Sequence, residues 1–475
     1  MPETLHLRST TVEEIRRIFQ LQQENHLEVG KSSAKERLAK LDRLHQVVLR
    51  YRPQIKEAMY ADFKKPALEV DAVEVYPITS AIKHTRAQLR EWMRPKKVPT
   101  SPAFFGSSSW IHYEPKGVCL IISPWNFPFN LTFIPLVSAI AAGNCVMLKP
   151  SEHTPHSSAL IRRMVSEVFG EHEVAVVEGA VEASQALLEL PFNHIFFTGA
   201  PRIGKIVMAA AAKHLTSVTL ELGGKSPTVI DESADVTTAA ERIIRGKLAN
   251  SGQICIAPDY VFVHEKMYAS FVGAAKETIR KFLGEDPMAS HSFARMVNVH
   301  QFGRVKAHLE EAIKLGAEVV AGGKTDDREL FIEPTILTKV SPDAKLMREE
   351  IFGPVLPVLT FRDLQEPIDF INAGERPLTM NIFSKNKKNI RRLLEETRAG
   401  GTSINHAQLH FYNHDLPFGG VNNSGIGKAH GWYGFTEFSN ARSIYRQHFW
   451  GPTELLRPPY SKFTEWVMDF TIKWM

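Results

Sequence analysis

Hydrophobic side chains in the first part of the chain recur every three or four positions, which is the spacing of one face of an α-helix. The first stripe is Ile15, Ile18 and Phe19, and the second is Leu38, Leu41, Leu44 and Val48. A Ser/Thr-x-x-Glu pattern precedes each stripe, as Thr11 with Glu14 and Ser33 with Glu36. In such a capping box the two side chains bond the free amide groups at the start of a helix. The pattern therefore predicts a helical N-terminal region.

From Gly117 onward, short apolar runs alternate with longer helical patterns. This alternation is typical of a parallel sheet that is covered by helices on both faces. A second alternating series follows Cys255, so we expect two α/β domains, one for a cofactor and one for catalysis. The strand-like runs are 118–122, 145–148, 174–177 and 194–197, then 260–263, the region of Val319 and 355–359, with a helix at 267–282. Residues 94–109 are rich in proline, lysine and serine and indicate a linker or an excursion from the compact body.

Composition restricts the classes of function. The 475 residues suffice for two or three domains, and 57 basic against 52 acidic side chains leave too small an excess for nucleic-acid binding. Three cysteines argue against a disulfide framework and favour a reducing compartment. The first residues, with Glu3, Glu13 and Glu14, lack the pattern of a secretory signal. No apolar run reaches the roughly 20 residues of a spanning helix, so we expect a cytoplasmic protein.

The segment from Asn250 to Cys255, NSGQIC, is the strongest local sign of chemistry. A cysteine reacts as its thiolate, so a nucleophilic cysteine needs surroundings that lower its pKa. The polar and flexible residues before Cys255 suit an exposed turn, although a buried structural thiol is the commoner role of a free cysteine. Cys119 and Cys145 lie inside apolar strands and keep that structural interpretation.

Glu221 lies between two leucines and just before a Gly-Gly turn, in the segment LELGGKSP at 220–227. Burial at a strand end would raise the pKa of this carboxyl toward neutrality and suit it to act as a general base. A strand-end glutamate that points to solvent is the alternative.

The segment HIFFTGAPRIGK at 194–205 combines a strand, a glycine turn and the start of a helix near Pro201. Backbone amides at such a helix N-terminus suit a phosphate group. The spacing of Gly199 and Gly204 differs from G-x-G-x-x-G, so the glycines alone are weak evidence. Gly425 and Gly427 follow a loop, and we predict only a turn there.

Taken together, these segments resemble the aldehyde dehydrogenase superfamily over about residues 57–459. Three more segments extend the resemblance in the same order: SPWNFP at 123–128, LKPSE at 148–152 and EEIFGP at 349–354. The segments FNLT at 129–132, AAKHLT at 211–216, APDY at 257–260 and LPFGGV at 416–421 are most like the class 3 branch, which acts on fatty and aromatic aldehydes.

The resemblance implies a role for each matched residue. Cys255 is the nucleophile, Glu221 activates the water that hydrolyses the thioester, and Asn126 contributes to the oxyanion hole. The residues implied for the cofactor are Lys149 and Glu152 at the adenosine ribose, Gly199 and Gly204 in the phosphate loop, and Glu350 and Phe352 at the nicotinamide riboside. No metal is implied, and no cluster of His, Cys, Asp and Glu has ligand spacing.

The resemblance also implies two Rossmann-like parallel-sheet domains with a small β bridging or oligomerisation element. We predict a cofactor-binding domain at 1–92 and 115–221, a catalytic domain at 222–415, and the bridging element with a C-terminal tail at 93–114 and 416–475. The implied reaction is NAD- or NADP-dependent oxidation of medium- or long-chain aliphatic or aromatic aldehydes to acids, through a thiohemiacetal and a thioester. A carboxylate at Glu152 favours NAD over NADP, whereas Lys149 nearby offsets this. A homodimer is expected.

Several alternatives stay open at this stage. Coenzyme A could accept the acyl group in place of water, or Cys255 could act with His410 or His414 as a thiol hydrolase, or the chain could be a binding protein on an enzyme scaffold. Apolar residues near the C-terminus fall on one helical face, which could pack on a subunit, touch a membrane weakly or cover the aldehyde entrance. They are Phe463, Trp466, Val467, Phe470 and Trp474. The predicted entrance residues are Ile254, Ile256, Trp125, His410 and Phe411.

Overall fold

The computed structural model of the chain describes residues 9–474. Both predicted capping boxes are confirmed: the side chain of Thr11 accepts from the amide of Glu14, and that of Ser33 from the amide of Glu36. The stripes behind them are buried, except that Leu38 is only half-buried. Glu3, on which part of the expectation about a leader rests, lies outside the described residues.

Helices cover both faces of the sheets, and they are the only regular elements between Val12 and Trp92. In chain order they are α1 Val12–Gly30, α2 Ala34–Arg50, α3 Arg52–Phe63, α4 Ala67–Val70, α5 Tyr76–Trp92, α6 Asn130–Ala142, α7 Pro155–Ser166, α8 Val181–Leu188, α9 Pro201–Ala212, α10 Val236–Leu248, α11 Tyr268–Leu283, α12 Val299–Lys314, α13 Lys345–Arg348, α14 Gln365–Ala373, α15 Lys387–Glu396, α16 Gly431–Glu437 and α17 Lys462–Trp474. A π-helical segment, Asp71–Val75, joins α4 to α5.

The strands form two large sheets and two small ones. In chain order they are β1 Lys96–Val98, β2 Ser107–Pro115, β3 Val118–Ile122, β4 Cys145–Lys149, β5 Val174–Val176, β6 His194–Gly199, β7 Ser217–Leu222, β8 Pro227–Ile230, β9 Tyr260–His264, β10 Glu318–Ala321, β11 Thr325–Asp326, β12 Phe331–Ile332, β13 Thr335–Thr338, β14 Val355–Phe361, β15 Thr379–Phe383, β16 Gly401–Ile404, β17 Gly425–Ile426 and β18 Ser439–Gln447. These bounds confirm the predicted strands to within two or three residues.

The first large sheet has the order β17-β7-β6-β3-β4-β5, and all its pairs are parallel except β17 with β7. The second has the order β10-β13-β14-β9-β8-β15-β16, again parallel except for β10 at its edge. Separate clusters of buried hydrophobic residues cover the faces of each sheet. The predicted pair of Rossmann-like parallel sheets is confirmed.

A third sheet has the order β1-β2-β18 and is antiparallel throughout. It pairs β1 and β2, from the proline-rich part of the chain, with β18 near the C-terminus. The domain boundaries at 1–92 with 115–221, at 222–415 and at 93–114 with 416–475 stay predictions.

The expectation of a simple turn at Gly425 is wrong. Gly425 and Ile426 form a short strand that pairs antiparallel with Leu220 and Glu221. A side chain at Gly425 would approach the carbonyl oxygen of Leu220 to 2.5 Å. The glycine therefore permits a close backbone approach, which the pattern of loop residues around it did not reveal.

Candidate active site

Two cavities meet at Cys255 and Glu221. An apolar cavity of about 90 Å³ is lined by both residues and otherwise mostly by hydrophobic side chains. A wider cleft of about 430 Å³ is lined by the same two residues together with polar groups such as Asn126 and Glu350. Cys255 precedes β9 of the second sheet and Glu221 belongs to β7 of the first, so the site lies between the two sheets. A ligand in either cavity can reach both the thiol and the carboxyl group.

Three consecutive residues before Cys255 have backbone angles in the left-handed region. The φ values are 50° at Asn250, 53° at Ser251 and 73° at Gly252. Such angles are unfavourable for residues with a Cβ and cost on the order of 1 kcal/mol or more each. A Cβ at Gly252 would collide with the carbonyl oxygen of Gly353. We name residues 250–255, which end at the predicted nucleophile Cys255, the nucleophile turn.

Side-chain amides hold the nucleophile turn in this conformation. Asn250 donates from Nδ2 to the carbonyl oxygens of Asn126 and Gln253, each at 3.1 Å. Gln253 donates from Nε2 to the carbonyl oxygen of Asn250 at 2.9 Å, and its Oε1 accepts from the amide of Val297 at 3.0 Å. Four buried hydrogen bonds therefore offset the backbone strain and set the position of Cys255.

A buried ion pair under the site was not predicted from the sequence. Lys65 and Glu74 are both fully buried and lie 3.5 Å apart. Lys65 also donates to the carbonyl oxygen of Asn126 at 3.0 Å and lies 4.1 Å from the ring centroid of Phe127. Burial raises the pKa of Glu74 to about 7, while the charge of Lys65 opposes the rise. The pair supports Asn126 through the hydrogen bond from Lys65 to its carbonyl oxygen. No local sequence pattern around Lys65 or Glu74 predicts this ion pair.

Asn126 is almost fully buried and borders the wider cleft. Its Nδ2 donates one hydrogen bond, to the carbonyl oxygen of Gln253 at 3.0 Å. Because an amide nitrogen carries two protons, one is left for a ligand within the described structure.

The surroundings of Cys255 raise the pKa of its thiol to about 12. Burial is the largest cause, and the carboxyl groups of Glu350 and Glu221 act in the same direction. Hydrogen bonds from the backbone amides of Cys255 and Ile256 oppose the rise. The expectation of a lowered pKa is therefore wrong for the chain by itself, because apolar walls and two nearby carboxyl groups disfavour the thiolate.

Burial raises the pKa of Glu221 well above its ordinary value, which confirms the predicted direction. The charge of Lys428 lowers this pKa and that of Glu437 raises it. Within residues 9–474, neither carboxylate oxygen of Glu221 has a hydrogen-bond partner. Lys428 donates from Nζ to the carbonyl oxygens of Gly419 and Gly420, at 2.6 and 3.0 Å. Glu221 is thus a buried carboxyl group with open hydrogen-bonding positions on both oxygens, which suits a base that binds water.

The wider cleft has a helix N-terminus at one side. Gly199 lines the cleft, and α9 begins two residues later at Pro201. Gly204 lies in the first turns of α9 and faces β7, where an added Cβ would lie 2.7 Å from Leu222 Cδ2. Gly199 therefore borders the cleft itself, whereas Gly204 brings the helix close to the strand.

Glu350 and Phe352 border the opposite side of the cleft. Burial raises the pKa of Glu350 to about 8, with Asp259 acting in the same direction. Its Oε1 has no hydrogen-bond partner in the described part of the chain. The ring of Phe352 lies edge-to-face against Trp125, with 5.3 Å between centroids.

Lys149 and Glu152 lie at the carboxyl end of β4, which is between β3 and β5 in the sheet. Lys149 donates to Glu152 at 2.8 Å. Burial alone would raise the pKa of Glu152, but the charge and the hydrogen bond of Lys149 hold it below its ordinary value. Lys149 and Glu152 do not line the wider cleft beside Cys255. They lie at the carboxyl ends of the strands of the same sheet as Gly199, which is where parallel sheets bind nucleotides.

Comparison with known proteins identifies the family. Residues 3–444 match the family described as "Aldehyde dehydrogenase family". The chain belongs to the aldehyde dehydrogenase family. Its activity class is the oxidation of aldehydes to acids.

Two kinds of relative support this assignment. Aldehyde dehydrogenase family 3 member H1 of Arabidopsis thaliana is 42% identical over 427 residues, which are 90% of this chain and 88% of that protein. Among solved structures, the substrate-bound state of Staphylococcus aureus AldH has a TM-score of 0.92 at 38% identity, over 96% of this chain and 99% of that one. An NAD-dependent aldehyde dehydrogenase from Sinorhizobium meliloti has a TM-score of 0.87 at 27% identity, over 95% and 89%. The family 3 relative confirms the resemblance to the class 3 branch.

The two histidines of the hydrolase alternative have partners elsewhere in this aldehyde dehydrogenase. His410 contacts Ser403 Oγ through Nδ1 at 2.9 Å, and His414 contacts Ser80 Oγ through Nε2 at 3.0 Å. Burial lowers the pKa of each to about 4. Neither is bonded to Cys255 among the described residues, and the geometry does not favour a Cys-His pair.

The residues predicted for the aldehyde entrance do not all line the same space. Ile254, Ile256 and Phe411 line the apolar cavity. Trp125 instead borders the wider cleft, and His410 packs against Phe418 without lining the cavity. The reason is local: the ring of Trp125 packs on Phe352.

Residues 9–474 contain no group of three or more His, Cys, Asp or Glu side chains that could hold a metal ion. Over the same range, no helix is both long and apolar enough to cross a bilayer.

Proposed function

We propose that this enzyme oxidises aldehydes through a thioester on Cys255, with Glu221 as the base that activates water and Asn126 as a donor to the oxyanion. The observation that carries the proposal is that Cys255 and Glu221 both border the apolar cavity and the wider cleft. An aldehyde in the cavity and a nicotinamide in the cleft would then meet at the thiol.

The first step is attack of the Cys255 sulfur on the aldehyde carbon, as the thiolate that forms when the thiol proton passes to solvent. The carbonyl oxygen becomes an oxyanion, which the free proton of Asn126 Nδ2 and a backbone amide of the nucleophile turn would stabilise. A single donor of this kind contributes about 3 kcal/mol to the transition state. The hydrogen bonds within the nucleophile turn supply the preorganisation that such a contribution requires.

The oxyanion collapses to the thioester once the aldehyde carbon has given up its hydrogen as a hydride, and the last chemical step then releases the acid. Glu221 accepts a proton from a water molecule, the hydroxide attacks the thioester carbon, and the sulfur leaves as the thiolate. The raised pKa of Glu221 makes it a stronger base than an exposed carboxylate, and its free oxygens suit a bound water. This base favours water over coenzyme A as the acyl acceptor.

We propose NAD or NADP as the cofactor. The unpartnered Oε1 of Glu350, the Trp125–Phe352 wall and Gly199 at the start of α9 fit a nicotinamide riboside and a phosphate. When bound, the nicotinamide accepts two electrons and the hydrogen of the aldehyde carbon as a hydride. Lys149 and Glu152 would hold the adenosine ribose, and the carboxylate of Glu152 favours NAD.

The apolar cavity supports medium- or long-chain aliphatic or aromatic aldehydes as substrates. Its walls include Phe127, Phe411 and Phe418, with Leu131 and Ile134 between them. Burial of apolar surface yields about 25 cal/mol per Å², so the affinity would rise with the length of the substrate until the cavity is filled.

The proposal is tested by incubating purified protein with NAD or NADP and a series of aldehydes, and measuring both nicotinamide reduction and the acid produced. We expect equal amounts of acid and reduced cofactor from the parent protein and none from the Cys255→Ala variant. Cys119→Ala is the matched control, because Cys119 is buried in β3 and away from both cavities. Reduction that persists in Cys255→Ala would contradict the proposed nucleophile.

A further inference from the structure

A third and larger groove adjoins the apolar cavity. It shares no lining residue with the wider cleft. Four residues line both the groove and the apolar cavity, so the groove lies directly beside the cavity that contains Cys255. They are Val73, Ala249, Gln408 and Tyr412. The groove has a volume of about 980 Å³ against about 90 Å³ for the inner cavity. We name it the vestibule.

The vestibule carries a cluster of positive charge that the proposed mechanism does not use. Arg242 and Arg245 reach it from α10 and Lys281 from α11. Arg242 donates to the carbonyl oxygen of Asn405, and Arg245 lies 3.1 Å from Nε2 of His406. Neither arginine has a carboxylate partner among residues 9–474.

The nearby acidic side chains already have hydrogen-bond or ion-pair partners. Glu69 lines the vestibule, but its Oε1 accepts from the amide of Asn250 at 2.7 Å. Lys281 lies 3.8 Å from Glu241, at the limit of an ion pair. Arg242 and Arg245 are therefore the basic side chains of the vestibule without an ion-pair partner in the described chain, and a guanidinium group is suited to bind a carboxylate with two parallel hydrogen bonds.

We infer that the vestibule binds a carboxylate at the far end of the substrate, so that the preferred aldehydes are ω-oxo carboxylic acids. The aldehyde end lies in the apolar cavity at Cys255, the chain passes Ala249 and Tyr412, and the carboxylate meets Arg242 and Arg245. This inference rests on the proposed function, because it assigns the substrate of that same site. The apolar walls of the inner cavity favour the hydrocarbon part of the substrate, and the arginines favour a carboxylate at its far end.

The test compares pairs of aldehydes with the same number of carbon atoms, one ending in a methyl group and the other in a carboxylate. Over a series of increasing length, kcat/KM for the carboxylate member rises above that of its partner once the chain reaches the vestibule. Two partly exposed charge contacts give a preference of about fivefold to tenfold, carried mainly by KM. Because these contacts are open to solvent, the preference shrinks as salt is added.

Replacing both arginines, as Arg242→Gln with Arg245→Gln, brings the ratio of the two kcat/KM values to about one. Arg280→Gln is the control for loss of a positive charge near the groove: it removes one charge from α11, and Arg280 is paired with Glu277 and Glu285 and lies outside the vestibule. Its ratio stays at the parent value.

Two results overturn the inference while leaving the proposed function in place. One is equal kcat/KM for both members of every pair in the parent protein. The other is a preference for the carboxylate that survives in the double variant. Oxidation of neither aldehyde at any length would instead overturn the proposed function and this inference with it.

Discussion

Glu221 can act as a base only in its ionised form, and its burial opposes ionisation. The side chain of Lys428 is the nearby positive charge that lowers the pKa of this carboxyl. Lys428 itself is held by the carbonyl oxygens of Gly419 and Gly420. Its charge therefore opposes the effect of burial and lowers the pH at which the thioester can be hydrolysed.

Replacing Lys428 by methionine removes that charge and raises the pKa of Glu221 further. Less of the carboxylate is then present at neutral pH, so the pH profile of hydrolysis shifts to higher pH. The measurement is kcat for hydrolysis of an activated ester as a function of pH, which isolates release of the acyl group. Lys428→Arg keeps the charge and leaves the profile near that of the parent. Identical profiles for the two variants would exclude the charge of Lys428 as the cause.

The thiol of Cys255 gives a second prediction at this scale. Since the carboxyl group of Glu350 raises the pKa of Cys255, Glu350→Gln lowers it and increases the thiolate fraction. The pKa of Glu350 itself is about 8, so the effect appears above that pH, where the group is ionised. We expect alkylation of Cys255 by iodoacetamide to become about threefold to tenfold faster.

Glu349→Gln is the control for this experiment, because Glu349 is the exposed neighbour and does not affect the pKa of Cys255. Cys119 and Cys145 are buried and report on unfolding if they react. A rate in Glu350→Gln that matches the Glu349→Gln rate would show that Glu350 does not control the thiol.

At the scale of elements, the nucleophile turn depends on Gly252. Its φ of 73° and its contact with the carbonyl oxygen of Gly353 leave no room for a Cβ. Gly252→Ala therefore costs about 1–3 kcal/mol of stability and displaces Cys255. A displacement of about 1 Å lowers kcat roughly a hundredfold. Thermal unfolding and kcat measured together check both parts.

Gly273→Ala is the matched control for the turn. Gly273 lies inside α11, and a Cβ there meets no atom within 4 Å. An alanine in this position stabilises the helix by about 1 kcal/mol and leaves kcat unchanged. Equal kcat in the two variants would contradict the importance of the turn conformation.

Some elements of this structure could be predicted from the sequence, because they depend on residues that are close together in the chain. Strands such as β3 and the capping box at Thr11 depend on neighbours in the chain, so local patterns sufficed. The residues predicted for the cofactor were found from motifs in family order rather than from periodicity. The ion pair of Lys65 with Glu74 could not be predicted, because it depends on burial under Asn126, which is distant in the chain. The pKa of Cys255 could not be predicted for the same reason, since burial by parts of the chain distant in sequence raises it most and Glu350 adds to the rise.

At the scale of the whole molecule, the helix α17 leaves its apolar face uncovered within the described chain. Trp466 is 62% exposed and Phe470 is 50% exposed, and their rings stack 6.0 Å apart. Packing on the rest of the same chain is therefore not what covers this face. A homodimer contact, a weak membrane contact and a cover over the aldehyde entrance stay predictions.

We expect the homodimer contact to account for this face, because Glu465 and Asp469 on the same helix weaken attraction to anionic lipid. Removing the residues after Pro459 would then weaken the dimer in sedimentation velocity and leave binding to anionic liposomes unchanged. Trp466→Ala with Phe470→Ala repeats the effect, whereas Ile472→Ala, on another side of the helix, does not. Liposome binding that disappears on truncation would favour the membrane instead.

The most direct test of the whole account is to trap the acyl group on the enzyme. Glu221→Gln keeps the size of the side chain but removes the base, so the reaction with aldehyde and NAD stops at the thioester. Mass spectrometry of this variant should find the mass of one acyl group added to the peptide that contains Cys255, together with one equivalent of reduced nicotinamide per subunit. An unmodified Cys255, or an acyl group on Cys119 or Cys145, would contradict the account.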